Sequence, residues 1–542
     1  MSEVAKPDMV SEQELEMIRS LKPGLRDMPV SSAITHIMAH GSLQSFTHDA
    51  AVPVKLSAME HRHSDALQNP RTKADMESLL TKMQAAAKYF FGRLDNSFHY
   101  SIDSSLMSYL TLPGQGKMYS TGSQPSDLPV SITFMGQFID HDLTKNATTL
   151  IDPELNQIDD EASPYIDLDS VYGPRPDFHT GGGLPSPMKS DGRFELTKLD
   201  ATNNAYDVMR KSDGTARIAD GRNDENQLVL QVHILLMRIH NLLIKEKHLD
   251  AQQARRETIF NWQSVVLNSH QASVLKADTL HEVMEDLAAE VANPGHGPAR
   301  LKYRPSGPHK KLKLPHEFAI GFRYGHSQLR NEYTVAPGRT FKLFDNFLVG
   351  PDYADLRGKR PLKAERAIDW PFFITPDHEF KKSNRLDTLI TSAVFNLPET
   401  AVPDNPTNFL GNLPQRNLIR SHEIRLTSGE RLFDFYFGAD AEGKLTPDQI
   451  EPNKAYQGLF SLQSHAGFQT PLWYYLLKEA ELEGGLRLGK LGSRLVGEVV
   501  GGAIYYNPVS YVRQPEWKSA INNSRVVTIK DLVDFVQDKD AT

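Results

Sequence analysis

The run Phe134-Met135-Gly136-Gln137-Phe138-Ile139-Asp140-His141-Asp142-Leu143-Thr144 constrains this chain more than any other stretch. On a helix, Gln137 and His141 are four apart and share one face, while Phe134 and Phe138 share another. Asp140 and Asp142 flank the histidine on either side. One turn therefore presents an imidazole, an amide and two carboxylates on a segment apolar enough to be buried. Burying such groups is costly unless each has a partner, such as a cofactor or a metal ion. A capped core helix with a satisfied histidine accounts for the segment equally well, so the rest of the chain has to decide.

Composition narrows the choice. The chain has 542 residues and no cysteine. That excludes disulfides, thiolate metal sites, iron–sulfur clusters, thiolate-ligated haem and a cysteine nucleophile. A net charge of -8, with no basic run, argues against a nucleic-acid partner. Residues Met1 to Leu25 mix acidic and basic side chains and lack the apolar core of a secretory leader. No stretch approaches the roughly 18 consecutive apolar residues of a membrane span. The expectation is a soluble protein that stays in the cytoplasm, unless it is exported without a cleaved leader.

Residues 1–85 read as a polar, histidine-rich N-terminal extension. His61 and His63 would fit a loop-borne metal site, but a solvated surface stretch accounts for them better. A helical pattern runs from Thr72 to about Phe91, with Met76, Leu79, Leu80, Met83 and Ala87 near helical spacing. Further on, Ser163-Pro164-Tyr165-Ile166-Asp167-Leu168-Asp169-Ser170 offers oxygen donors at every second position. A hard cation such as calcium takes such donors, backbone carbonyls included, at about 2.3–2.6 Å. Alone, Asp167-x-Asp169 is better read as a turn. Together with Asp142 it becomes a three-carboxylate calcium candidate. The run His179-Thr180-Gly181-Gly182-Gly183-Leu184 lacks the setting of a phosphate loop and reads as a flexible turn.

Arg222-Asn223-Asp224-Glu225 is expected to begin a long helix whose apolar positions, Leu228 to Leu243, run to about Lys247. Arg222 and Glu225 on its first turn suit a polar pocket, with an ordinary cap and exposed ion pair as the alternative. A second long helix is expected from Ala251 to about Leu275, and another from Pro315 to Gln328 that carries His326. Gly325 removes a side chain beside that histidine and would let a flat ligand approach, although an ordinary core histidine accounts for His326 better until the rest of the chain is considered. A further helix starts at Leu413, and the last third reads as helices between Pro/Gly turns. The fold class is mainly α: one large helical domain over residues 86–542 with few short strands.

Three separated segments resemble one family together. Gln137 with Asp140-His141-Asp142, Arg222 with Glu225, and Arg323-Tyr324-Gly325-His326 are similar to the animal-type haem peroxidases of the peroxidase–cyclooxygenase superfamily. The loop ending Ser170-Val171-Tyr172-Gly173, the pair Asn417 and Arg420, and Gln253-Ala254-Arg255-Arg256 fit the same family. The resemblance covers roughly residues 90–520.

This resemblance implies a peroxidase that reduces hydrogen peroxide and oxidises small donors through a high-valent iron–oxo species. His326 would be the proximal iron ligand and Asn417 its hydrogen-bond partner. His141 would be the distal acid–base group and Arg222 the charge stabiliser, with Gln137 holding water or peroxide. Arg323 and Arg420 would pair with the haem propionates. Asp140 and Glu225 match carboxylates that become ester-linked to haem b. Asp142, Ser163, Tyr165 (through its carbonyl), Asp167 and Asp169 match the Ca2+ ligands, and Asp169 stands where relatives often have serine. Asn226 replaces a methionine of the chlorinating relative, which argues against chloride and for phenols, iodide, bromide or thiocyanate. A fatty-acid oxygenase of the same superfamily is a rival. Its radical tyrosine would stand three residues before His326, where this chain has Arg323; Tyr324 is one residue late, a turn of about 100° on a helix. A non-enzymatic haem-binding protein is the other rival, and the joint presence of His141 and Arg222 argues against it.

Overall fold

The structure is a computed structural model that describes residues 89–145, 159–160, 162–173, 186–200, 205–305, 312–345, 354–398, 401, 411–462, 466–537 and 539–541. The extension over 1–85, its two histidines, most of the 72–91 helix and the glycine run at 179–184 lie outside the described residues. Helices dominate what is described. Strands occur as five two-stranded pairs among the described residues, so the mainly α expectation holds.

The opening motif lies on helix α1, Val130–Leu143. It begins four residues before the motif, directly after Pro129. Nearly all of α1 is buried, including His141 and Asp142.

Helix α2, Gln227–Lys247, is 21 residues long and so about 30 Å. Its N-cap is Asn226, whose side chain accepts from Leu228 N at 3.0 Å and Val229 N at 2.9 Å. Asn226 is extended at that point, which breaks the backbone before α2. Arg222 therefore does not lie on the first turn of the long helix, as its sequence position suggests. It sits on a separate 3₁₀ turn, Gly221–Asp224, capped by the side chain of Asp220. Among the described helices, α2 alone is long and apolar enough by composition to cross a membrane, although polar residues interrupt it throughout. Of its most apolar 18-residue window, 94% is instead buried inside the protein, and Gln227, Gln231, His233, Arg238, His240 and Asn241 are buried with the apolar residues.

Helix α3, Ala251–Val265, opens with an Asp250/Gln253 capping box. It runs on through a π segment, Val266–Gln271, into a last α turn, so the single helix read from sequence carries a widened stretch. Helix α4, Ala277–Ala292, packs along α8, Lys490–Tyr505. A Cβ on Gly501 would come within 2.6 Å of Met284, so glycine there permits the close approach. Between them lie α5, His316–Gly321, which tightens into a 3₁₀ segment at Phe322–Gln328, then α6, Leu413–Glu423, and α7, Leu472–Leu482. Helix α9, Ile529–Val536, packs back onto α2, which also rests on α1 and α3.

Candidate functional site

Helix α1, the 3₁₀ turn before α2, the 3₁₀ segment at Phe322–Gln328 and α6 surround one cavity of about 300 Å³. That volume is at the lower end for ligand sites. Gln137, Asp140, His141, Arg222, Glu225, Arg323, His326 and Asn417 all line it. The chain thus brings together groups that lie up to 280 positions apart (417 − 137).

His141 is held in one tautomer. Its Nδ1–H donates to Asn223 Oδ1 at 2.9 Å, while Asn223 Nδ2 donates to His233 Nδ1 at 3.1 Å. The Nε2 lone pair is left free, 3.9 Å from a Glu225 oxygen. Burial, with Arg222 adding to it, pushes the His141 pKa down to about 4. The ring is neutral at pH 7.

Arg222 is positioned by Asp220, to which it donates from Nε at 3.1 Å and Nη2 at 2.7 Å. Its Nη2 also reaches the His141 carbonyl at 2.9 Å. Burial opposes the guanidinium charge, but Asp220, Asp140 and Glu225 outweigh it and raise the pKa. Gln137 accepts from Asn226 Nδ2 at 3.0 Å and donates to Glu225 at 3.5 Å. Burial pushes the Glu225 carboxyl up to about 7.

His326 lies against the Asn417 amide, whose Nδ2 is 2.9 Å from Nδ1. Arg323 Nη1 donates to Asn417 Oδ1 at 3.0 Å. Burial first, then Arg323 and Arg416, holds the His326 pKa near 3. The Trp473 ring meets the imidazole edge-on, with centroids 6.3 Å apart. A Cβ built on Gly325 would touch nothing within 4 Å, and the residue lines the cavity. The glycine thus leaves open space beside a neutral imidazole, as a flat metal-bearing ring needs. Two fixed imidazoles, two carboxylates and several guanidinium groups are also the donor set that haem, with its iron and propionates, would take.

Some assignments shift. Arg420, expected at a propionate, is not among the lining residues; Arg416, one turn earlier on α6, is. Burial lowers the Arg420 pKa, with Glu423 acting against the shift. Sequence reading missed Asp220, Asn223, Arg416 and Trp473. Asp220 stands two residues before Arg222 and Asn223 directly after it, so a cap and an amide near a chosen arginine were the available signal. Nothing in the sequence pointed to Trp473.

A second cluster adjoins the first through α1. Ligand atoms of Asp142, Asp167 and Asp169 lie within 4.8 Å of one another. Ser163 Oγ donates to Asp167 at 2.8 Å and lies 3.5 Å from the Tyr165 carbonyl. Asp142 accepts from Leu168 N at 3.1 Å and from Ser170 Oγ at 2.9 Å. Leu168 adopts a left-handed backbone, φ 58°, which turns the loop around these oxygens. Burial raises all three carboxyl pKa values, and Asp167 adds to the rise at Asp142 and Asp169. Three crowded carboxylates surrounded by other oxygens suit a hard divalent cation.

The family profile described as animal haem peroxidase matches residues 154–349. No curated protein matches in sequence. Among solved structures, peroxidase A from Dictyostelium discoideum is 15% identical, with 82% of this chain and 94% of that chain covered and a TM-score of 0.50. A single-site variant of the Oryza sativa fatty acid alpha-dioxygenase, with palmitic acid, is 14% identical, with 83% and 79% covered and a TM-score of 0.52. Residues 154–349 are thus similar in sequence to the animal haem peroxidases, and the chain shares its fold with both of these structures.

Proposed function

We propose that the protein is a haem-dependent peroxidase that reduces hydrogen peroxide and oxidises small donors: phenols, iodide, bromide or thiocyanate. One observation carries this reading. His141, neutral and fixed with Nε2 free, shares a single cavity with Arg222 and with His326.

His326 Nε2 would hold the haem iron. For that, Nδ1 must carry the proton and Asn417 must offer its oxygen. Arg323 now donates to that oxygen and would turn to a propionate. Arg416, which also lines the cavity, would be a further propionate partner alongside the Arg420 that the resemblance implies. Asp140 and Glu225 both face the cavity and are the candidates for ester links. Calcium would sit among Asp142, Ser163, the Tyr165 carbonyl, Asp167 and Asp169. Haem, when bound, supplies the redox chemistry that stores the two oxidising equivalents of peroxide and passes them to donors.

The chain's own residues handle the protons and charge. His141 Nε2 accepts a proton from the peroxide and returns it to the departing oxygen as water forms. Arg222 holds positive charge where negative charge develops. Gln137, tied to Asn226 and Glu225, fixes the polar end of the cavity.

Fatty-acid oxygenation is the competing reading, because the rice structure named above is described with palmitic acid. Against it, Arg323 occupies the place three residues before His326, and its guanidinium is engaged by Asn417. Purified protein should show a Soret band and turn over hydrogen peroxide with a phenol or iodide, with no oxygen uptake on palmitate. Oxygen uptake on palmitate with no turnover of either donor would reverse the assignment.

A further inference from the structure

Away from the haem-type cavity, a second one of about 330 Å³ opens between α2, α9 and the segment around Trp370. Gln231, Ile234 and Arg238 line it from α2, three and seven residues apart and so on one helix face. Gln231 is fully engaged, donating to Gln227 O and Arg366 O and accepting from Ile368 N. Arg238 is not. It is only 6% exposed, its guanidinium lies 5.0 Å from the centre of the Tyr206 ring, and Nη2 donates to the Val536 carbonyl at 2.8 Å. Its Nε has no partner among the described residues.

Among the described residues, no carboxylate pairs with this buried cation. Asp540, which acts on it at longer range, is already held by Tyr206 at 3.0 Å and Lys198 at 3.2 Å. A second guanidinium, Arg339, lines the same cavity and donates to the Ala364 and Glu365 carbonyls. Asp369 lines it too and caps the turn at Trp370 by accepting from Phe372 N at 3.2 Å. A buried guanidinium without a counter-ion is costly, and its planar fork matches a carboxylate. Ile234, Ala367, Trp370 and Pro371 supply an apolar wall.

The geometry points to a binding site for a small organic monocarboxylate, with the carboxylate on Arg238 and a ring-sized apolar body against Trp370 and Ile234. The negative charge of Asp369 disfavours dianions. The cavity volume limits the ligand to about the small end of the usual range. This site is independent of the peroxidase reading.

The test uses the full chain with benzoate as the probe, benzamide as its uncharged counterpart and inorganic phosphate as an anion without an apolar body. Benzoate should raise the melting temperature with saturation, while benzamide and phosphate should not. Arg238→Gln should weaken benzoate binding at least tenfold, and His141→Ala should leave it unchanged. Ala367→Phe, which narrows the cavity and leaves Arg238 in place, should also abolish binding and decides the matter if Arg238→Gln does not fold. Equal binding of benzamide or phosphate, unchanged affinity in Ala367→Phe or in folded Arg238→Gln, or loss of binding in His141→Ala would overturn the assignment.

Discussion

His141 can act as a base only as the neutral imidazole with its lone pair on Nε2. Asn223 secures the tautomer, and burial with Arg222 secures the charge state by lowering the pKa from 6.5 to about 4. A lowered pKa means that the neutral form persists as pH falls and is lost only near pH 4. The rate of the peroxide reaction should therefore stay level from pH 7 to about 5 and fall below about 4. A decline already centred near pH 6.5 would show an ordinary solvated histidine. His141→Ala should lower the rate by about 10²–10⁴, with the Soret band retained. Gly136 is equally specific: a Cβ there would come within 2.9 Å of the unpartnered His270 Nε2. Gly136→Ala should cost about 1–3 kcal/mol in denaturant melts, because the buried ring has to move.

Among the elements, α1 joins two sites, since His141 and its neighbour Asp142 look into different clusters. Calcium bound by Asp142 and the 163–169 loop would thus fix the pitch of α1 as well as the loop. Chelation should lower the melting temperature and also disturb the haem spectrum. At a hundredfold excess over its Kd, a single bound ion is worth about 2.7 kcal/mol. Active protein that contains no calcium by metal analysis would refute this. The elements also show where sequence sufficed. The apolar period of Leu228 to Leu243 marked α2 closely, and the oxygen spacing of Ser163 to Asp169 marked the loop. The helix start was misplaced at Arg222, because Asn226 breaks the backbone there while serving as a good N-cap. Periodicity does not register a polar residue that can cap as well as continue a helix. The lining of the cavity by Arg416 was not legible for a related reason: which turn of α6 faces a cavity depends on packing against α5 and α7, contacts that local spacing does not contain.

At the scale of the whole molecule, Asp140 and Glu225 come from separate elements and meet at one cavity. Esters from both would tie α1 to the turn before α2 through the cofactor, in a chain that has no cysteine for disulfides. Haem should then resist acid-acetone extraction after peroxide treatment. Either Asp140→Ala or Glu225→Ala should release part of it, and the double variant all of it; free extraction from treated wild type would exclude the linkage. The order of synthesis follows from how α2 is covered. Its 21 residues are unusually apolar for their length, so the growing chain exposes that surface until other elements cover it. Helix α1 is already made when α2 emerges, and α3 follows it directly. The face at Arg238 and Asn241, however, is closed by Val536 and Ala541, through bonds of 2.8 and 2.7 Å. That face stays open on the ribosome for nearly 300 residues of translation (536 − 238 = 298). Chains truncated before residue 529 should therefore be held by chaperones or precipitate, while still containing every residue that lines the haem-type cavity.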